Sequence, residues 1–514
     1  MSDNQNRHTD SSIYIEEVHA HKARKASVLE FTHSATKAAG IMLLAAVVAL
    51  VFANSPLYGP FEHAIHLPVG FVVGESVVTM SAGHVINDVF MAIFFLLVGL
   101  EIKYEMTVGE LTNIRQALLP IVAAAGGVVM PIAIYMAFNA GNAETAGGWG
   151  IPTATDIAFA LGIMALLGNR IPAGIRVFLS TLAVADDIIA ILVIAIFYGQ
   201  APSLFWLAAA AAVLAVLIAC NRSHVYSIQP YLGLGVVLWF CVFMSGVHST
   251  IAGVLLAFAI PSGSNVKLRD FATWSREKIS SAHESFNPDE PVIGQKDYMH
   301  DVKSLSDVAR QVIPPATRME HALYPWVYFA ILPLFALTNA DVHLIGSNPA
   351  DFFSNPVLYG VFFGLLLGKP AGIVLFSFIV VKSRLASLPE HVGWGHVLGA
   401  AILGGVGFTM SIFVANLAFD SETAITTAKA AILAASTVAG VLGFFVLWLQ
   451  ARRDAARGVV YVMPAVDEEM LTQSDVDAFR TDEALLEQLD EESRRAIDEE
   501  CRCAHPHEVV AHLR

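Results

Sequence analysis

Three carboxylates stand where the chain is otherwise apolar. Asp186 and Asp187 interrupt the run STLAVADDIIAILVIAIFYG (Ser180 to Gly199), and Asp156 interrupts IPTATDIAFALGIMALLG (Ile151 to Gly168). An ionised carboxylate at the centre of a membrane helix costs roughly 2.5–3.5 kcal/mol on insertion scales. Carboxylates at such depth are suited to the reversible binding of protons and small cations. Adjacent residues of an α-helix point about 100° apart, so Asp186 and Asp187 cannot face one direction. One can line an ion cavity while the other meets a partner on a neighbouring helix. Lys369, in LLLGKPAGIVLFSF, is the base inside a clearly apolar run, and one of the two adjacent aspartates is its expected partner. A snorkelling lysine near a helix end is the alternative.

Asp156 follows Pro152, Thr153, Ala154 and Thr155, a polar stretch of the kind an interrupted helix needs. Hydroxyls and freed carbonyls there can coordinate a cation, while a simple helix N-cap by Thr or Asp is the competing reading. GGVGFTMSIFVANLAF (Gly404 to Phe419) is interrupted by Gly404, Gly405 and Gly407, so two broken helices are expected to cross near the midplane. Glu101, Lys103, Arg318, Glu320 and His321 fall at the polar ends of apolar runs, and Asp88 opens one. Histidine changes charge in the physiological range, so these groups either gate ion access or are ordinary interfacial charges. His248 reads as a packed histidine. CRCAHPH (Cys501 to His507) has no standard zinc spacing.

These residues require helices to hold them, and the composition supplies the helices. Apolar residues make up 55% of the chain, charged ones 15%, and the mean hydropathy is +0.60. That excludes an ordinary soluble domain and predicts an all-α polytopic membrane protein. About twelve runs approach the length that crosses a bilayer: 35–54, 83–101, 116–138, 151–168, 173–199, 202–220, 228–245, 247–261, 322–340, 355–381, 395–419 and 426–450. Basic residues recur in alternate connections, at Lys22–Lys25, Lys103 and Arg115, Arg170 and Arg176, Arg222, Lys267–Lys278, Lys382 and Arg384, and Arg452 and Arg453. The positive-inside rule then places both termini in the cytoplasm.

The expected organisation is a cytoplasmic segment 1–34, a membrane domain 35–450 with an extended loop at about 262–320, and an acidic tail 451–514. FNPDEPVIGQKD reads as linker within that loop. Much of the net charge of −15 resides in the tail, whose partner the sequence does not name. No apolar core of a cleavable signal stands in residues 1–34. The four cysteines are too few for a disulfide framework.

INDVFMAIFFLLVGLEIK, the two acid-bearing runs, SGVHSTIAGV, RMEHALYPWVYFAILPLFALTNA, LGKPAGI and GVGFTMSIFVANLAF, taken in order, resemble the NhaA-type sodium/proton antiporter family. The resemblance implies inverted repeats with two discontinuous helices, near 151–168 and 395–419. It implies that Asp187 is the principal ion-binding carboxylate and that Asp186 pairs with Lys369. Asp156 and Thr155 then belong to the broken helix at the ion site. Glu101, Glu320 and His321 match pH-response positions, and Asp88 a supporting acid. One departure is Tyr324, where the pattern often has a second histidine.

The activity so implied is electrogenic, pH-regulated exchange of Na⁺ (or Li⁺) for protons at the bacterial inner membrane. Asp187 and Asp156 would hold the transported Na⁺, no resident cofactor is expected, and no enzyme activity or nucleic-acid partner is implied. A homodimer is left open. A sodium-coupled symporter of an organic solute is the alternative, and it would need a roomy polar cavity. An intramembrane aspartyl protease would need a GxGD-like motif, which does not occur.

Overall fold

The computed structural model describes residues 34–461, apart from 74–75, 110–111, 113, 200–201, 264–265, 267, 288–290, 343–348, 390, 458 and 460. The N-terminal segment, the acidic tail and the CRCAHPH element lie outside the described residues. Among those described, nine helices are long and apolar enough to cross a membrane, and a bent pair brings the number to ten. The chain is a multi-pass helical membrane protein.

The helices, in order, are α1 (Ala35–Ala53), α2 (Ala82–Thr107), α3 (Ile114–Asn139), α4 (Ile157–Ala165), α5 (Ala173–Phe197), α6 (Leu204–Arg222), α7 (Ile228–Ser245) and α8 (Ile251–Ala259). Then come α9 (Leu268–Ser285), α10 (Lys296–Val312), α11 (Pro315–Asn339), α12 (Pro356–Lys382), α13 (Trp394–Gly404), α14 (Phe408–Ala418) and α15 (Glu422–Ala456). Many large side chains on the outer faces are open to the surroundings, Leu204, Phe205 and Val236 among them. Such a surface suits lipid rather than water.

Of the roughly twelve apolar runs, nine form helices of spanning length among the described residues, or ten with the bent pair, and the run at 151–168 is interrupted as expected. The runs at 151–168 and 247–261 form α4 and α8, each of nine residues. At 1.5 Å per residue that is about 14 Å, half of a bilayer core of ~30 Å. Before α4 the chain runs as a 3₁₀ turn, Gly147–Thr153, with Pro152 near its end, and then turns extended at Ala154. Before α8, helix α7 stops at Gly246, whose φ of 82° is left-handed; a residue without Cβ adopts that conformation at little cost.

Two further elements depart from the expected plan. β1 (Pro68–Val73) and β2 (Ser76–Ser81) form an antiparallel hairpin in register Pro68↔Ser81, an exception to the all-α reading. The loop at 262–320 is not an open linker, since α9 and α10 pack against each other. Lys278 Nζ lies 2.9 Å from Asp301 Oδ1, and the Ser281 hydroxyl donates to Asp301 Oδ2 at 2.6 Å. Within FNPDEPVIGQKD, the Gln295 amide accepts from Asn287 N at 3.0 Å and donates to its carbonyl at 2.7 Å. A side-chain amide that satisfies both backbone groups of one residue closes a turn, and here it joins the two helices.

The element that carries Lys369 is set by close backbone approach. A Cβ on Gly126 of α3 would collide with the carbonyl of Gly372 in α12, and one on Gly372 with that of Gly126. The two helices touch because neither position has a side chain. Lys369 lies three residues from this contact, fully buried.

Candidate functional site

The two broken elements meet at their breaks. α13 and α14 are bent by 43° around Gly405–Gly407, and the amide of Asp156, just before α4, donates to Val406 O at 2.8 Å. Thr155 Oγ1 lies 2.8 Å from Asp186 Oδ2 and 3.0 Å from Gly404 O, with one proton to donate. The Ser411 hydroxyl donates to Ile151 O at 2.9 Å. Hydroxyls and amides freed by one interruption thus satisfy carbonyls freed by the other, which lets unwound backbone persist inside a membrane protein.

Asp156 serves both readings open to it in the sequence. Its Oδ1 caps α4 by accepting from Phe159 N at 3.0 Å. Its Oδ2 accepts from the Thr409 hydroxyl at 2.5 Å and the Thr409 amide at 3.2 Å, across the crossing. Asp186 and Asp187 differ in their company. Lys369 Nζ lies 3.0 Å from Asp186 Oδ2, both side chains being fully buried, and also donates to Thr153 O at 2.5 Å. Asp187 is 2% exposed, and among the described residues it has no ion pair within 4 Å and no partner for its buried Oδ1.

Asp187, Asp156, Thr155, Glu101, Tyr328 and Thr409 line one small cavity of about 10 Å³. That is about the room one water-sized particle needs. A wider cavity of about 740 Å³ is lined by Glu105, Arg176, Ser180 and Thr181, among others. Two helices connect them. Glu101 and Glu105 are four apart on α2, and Ser180 and Asp187 seven apart on α5, spacings that share a helix face. The wide cavity therefore leads toward the small one along two faces with polar groups.

The other expected residues are distributed more widely. Tyr328 OH donates to Glu101 Oε1 at 3.4 Å, so Glu101 faces the inner cavity instead of an outer mouth. Glu320 is half-buried and His321 exposed on the first turns of α11, and neither lines that cavity. Asp88 accepts from Ser249 Oγ at 3.4 Å, and its carbonyl from Trp239 Nε1 at 3.4 Å, which ties α2 to α7 and the turn before α8. Lys103 donates to the carbonyls of Ala257, Phe258 and Ile260, so it caps the C-terminus of α8. The ring of His248 packs 5.5 Å from that of Phe413.

Several participants escaped the sequence reading. Thr409 stands within GVGFTMSIFVANLAF but carries no signal of its own, since hydroxyls are common in membrane helices. Glu105, at the end of its apolar run, has in sequence only the look of an interfacial charge. Local π-helical turns at Val85–Phe90, Val327–Ile331 and Gly364–Gly368 bear or precede Asp88, Tyr328 and Lys369 respectively. Such bulges collect at functional positions, and no residue pattern announces them.

Fold and site together define a polytopic membrane protein with an acid-lined centre at the crossing of two broken helices. A family model described as Na⁺/H⁺ antiporter 1 matches residues 29–447. The chain is 43% identical over 428 residues to the Na(+)/H(+) antiporter NhaA of Wolinella succinogenes, covering 83% of this chain and 94% of that one. Against the NhaA of Oleidesulfovibrio alaskensis it is 45% identical over 412 residues, 79% and 90% of the two chains. Against that of Helicobacter pylori strain J99 it is 44% identical over 426 residues, 81% and 94%. The protein belongs to the Na⁺/H⁺ antiporter 1 family.

Proposed function

We propose that this protein exchanges Na⁺ for protons across the bacterial inner membrane, with both termini in the cytoplasm, and that Asp187 is the exchanging group. The observation that carries this reading is the contrast between two adjacent buried carboxylates. Asp186 has a lysine at 3.0 Å, whereas Asp187 lines a cavity of about 10 Å³ with no fixed counter-charge within 4 Å. A charge held out of water costs several kcal/mol unless it is paired. For Asp187 the pairing must come from a mobile ion, either a proton on the carboxylate or a cation beside it.

Exclusive occupancy then couples the two fluxes. Na⁺ is a hard cation that takes oxygen ligands, as the hard cations Ca²⁺ and Mg²⁺ do, and the cavity offers carboxylate oxygens of Asp187 and Asp156 and hydroxyls of Thr155 and Thr409. A proton on Asp187 removes the charge that holds the cation, and the bound cation keeps the proton off. Movement of the crossing relative to α2 and α11 would present the same site to each side in turn. Exchange of more than one proton per Na⁺ makes the cycle electrogenic, with the Asp186–Lys369 pair as source of the additional proton. Li⁺ competes for the same oxygens, and Glu101 with Glu320 and His321 sets the pH response. The size of the inner cavity argues against an organic solute.

In everted vesicles, Asp187→Asn should abolish Na⁺-driven dequenching of a ΔpH-sensitive dye while the protein remains inserted. Dequenching at the wild-type rate in that variant would overturn the reading.

A further inference from the structure

At the end of the bundle that bears Arg452 lies a third cavity, of about 380 Å³, lined by Asn169, Arg170, Trp448, Arg452, Val459 and Tyr461. It joins the short turn after α4 to the C-terminal end of α15, and the exchange mechanism makes no use of it. Its charge is unbalanced: neither Arg170 nor Arg452 has a carboxylate within 4 Å among the described residues. The Arg452 guanidinium instead lies 3.8 Å over the centre of the Trp448 ring.

Asp454, two residues beyond Arg452, does not line the cavity. Asp454 is buried and accepts from Tyr461 OH at 3.0 Å and from Gln450 Nε2 at 3.2 Å, with His396 Nε2 at 3.1 Å. Burial and the adjacent Asp454 carboxylate push the Tyr461 phenol up to about 12. Tyr461 therefore remains a neutral donor, which lines the cavity while its hydroxyl is given to that carboxylate.

Depth identifies the class of ligand. From Ala430 to Leu449 the helix α15 has no charged residue, and twenty residues at 1.5 Å span ~30 Å, the thickness of a hydrocarbon core. Trp448 lies at the end of this run and Arg452 follows it by one turn, three residues beyond Leu449, so the cavity opens at headgroup level. Below it Phe445 and Leu449, 51% and 49% exposed, present an apolar outer face. Arginine binds phosphate oxygens in a planar fork, and basic pockets between membrane helices suit anionic headgroups.

We propose that this cavity binds the phosphate of an anionic phospholipid between Arg170 and Arg452, with the acyl chains along Phe445 and Leu449. Free inorganic or glycerol phosphate shares the headgroup chemistry but has nothing to place on that apolar face.

The test is native mass spectrometry of the full-length protein in detergent, titrated with phosphatidylglycerol, phosphatidylcholine or glycerol phosphate. Phosphatidylglycerol should bind at least tenfold more tightly than phosphatidylcholine, and more weakly as salt is raised. Arg170→Gln with Arg452→Gln should lose about tenfold in that affinity, whereas Arg453→Gln, outside the cavity, should lose none. Arg452→Lys keeps the charge without the planar fork and should fall between. Equal binding of the two lipids, an equal loss in Arg453→Gln, or displacement of phosphatidylglycerol by equimolar glycerol phosphate would each overturn the proposal. The lipid and salt comparisons decide it on the wild-type protein even where the double variant fails to fold.

Discussion

Lys369 and Asp186 illustrate how a charge can be affordable in pairs and ruinous alone. Each is fully buried, and their separation of 3.0 Å lets each neutralise the other. Removal of one partner of a buried pair costs about 3–5 kcal/mol because the other charge is left without compensation. Lys369→Met and Asp186→Leu, made singly, should therefore lower the melting temperature of the purified protein markedly. The double replacement should regain most of the loss, as apolar substitutes for buried pairs usually do. Additive losses in the double variant would show that the pair is not a unit. This partnership was legible in the sequence because a lone base and two acids stand out in apolar runs. What Asp156 touches was not legible: nothing in the order of residues says that Thr409, 253 positions away, gives it both an amide and a hydroxyl.

Elements were legible where one rule dominates and obscure where two compete. Continuous apolar runs such as α5 and α15 are read directly, since length and hydropathy agree. The break at 151–168 was legible because Pro152 and the hydroxyls after it mark one, whereas 247–261 has span-like hydropathy and yet, after the turn at Gly246, forms only a half-helix. In the loop at 262–320 polar composition concealed the α9–α10 hairpin, whose link is Asp301 in contact with Ser281 and Lys278. The Ser281 hydroxyl and the Lys278 ammonium hold the Asp301 carboxyl below its ordinary range. A carboxyl whose folded value lies below its unfolded one stabilises above the unfolded value, and the gain disappears as pH falls through the folded one. At neutral pH, then, Asp301→Asn should speed amide hydrogen exchange across 268–312, and acidification of the wild type should do the same. Unaltered exchange in the variant would assign the hairpin's order to its apolar contacts instead.

At the scale of the membrane bundle, the proposed mechanism requires that the crossing move against its surroundings, and at the end opposite Glu105 a set of amide hydrogen bonds is placed to resist that motion. Asn339 of α11 donates to Asn87 Oδ1 of α2 at 2.8 Å, and Asn416 of α14 donates to Asn339 Oδ1 at 2.7 Å. Asn339 is 4% exposed, so these amides replace water with one another and tie the half-helix beside the candidate ion site to two continuous helices. A hydrogen bond of this kind contributes about 0.5–1.5 kcal/mol net, and a buried group left without its partner costs about 1–3 kcal/mol. Asn416→Ala removes the link between α14 and α11 and leaves Asn339 Oδ1 with the longer contact of 3.3 Å from Asn87. The closed arrangement at this end should lose about 1.4 kcal/mol, a tenfold gain in the open population. A cysteine at Ala340, buried beside Asn339, reports on that opening in a chain whose four natural cysteines are replaced by serine. Its reaction with a membrane-impermeant maleimide should accelerate about tenfold when Asn416→Ala is added. Because the population of the open form governs labelling whenever closure is faster than reaction, an unchanged rate would mean that the amides only pack this end and that the barrier to movement is elsewhere.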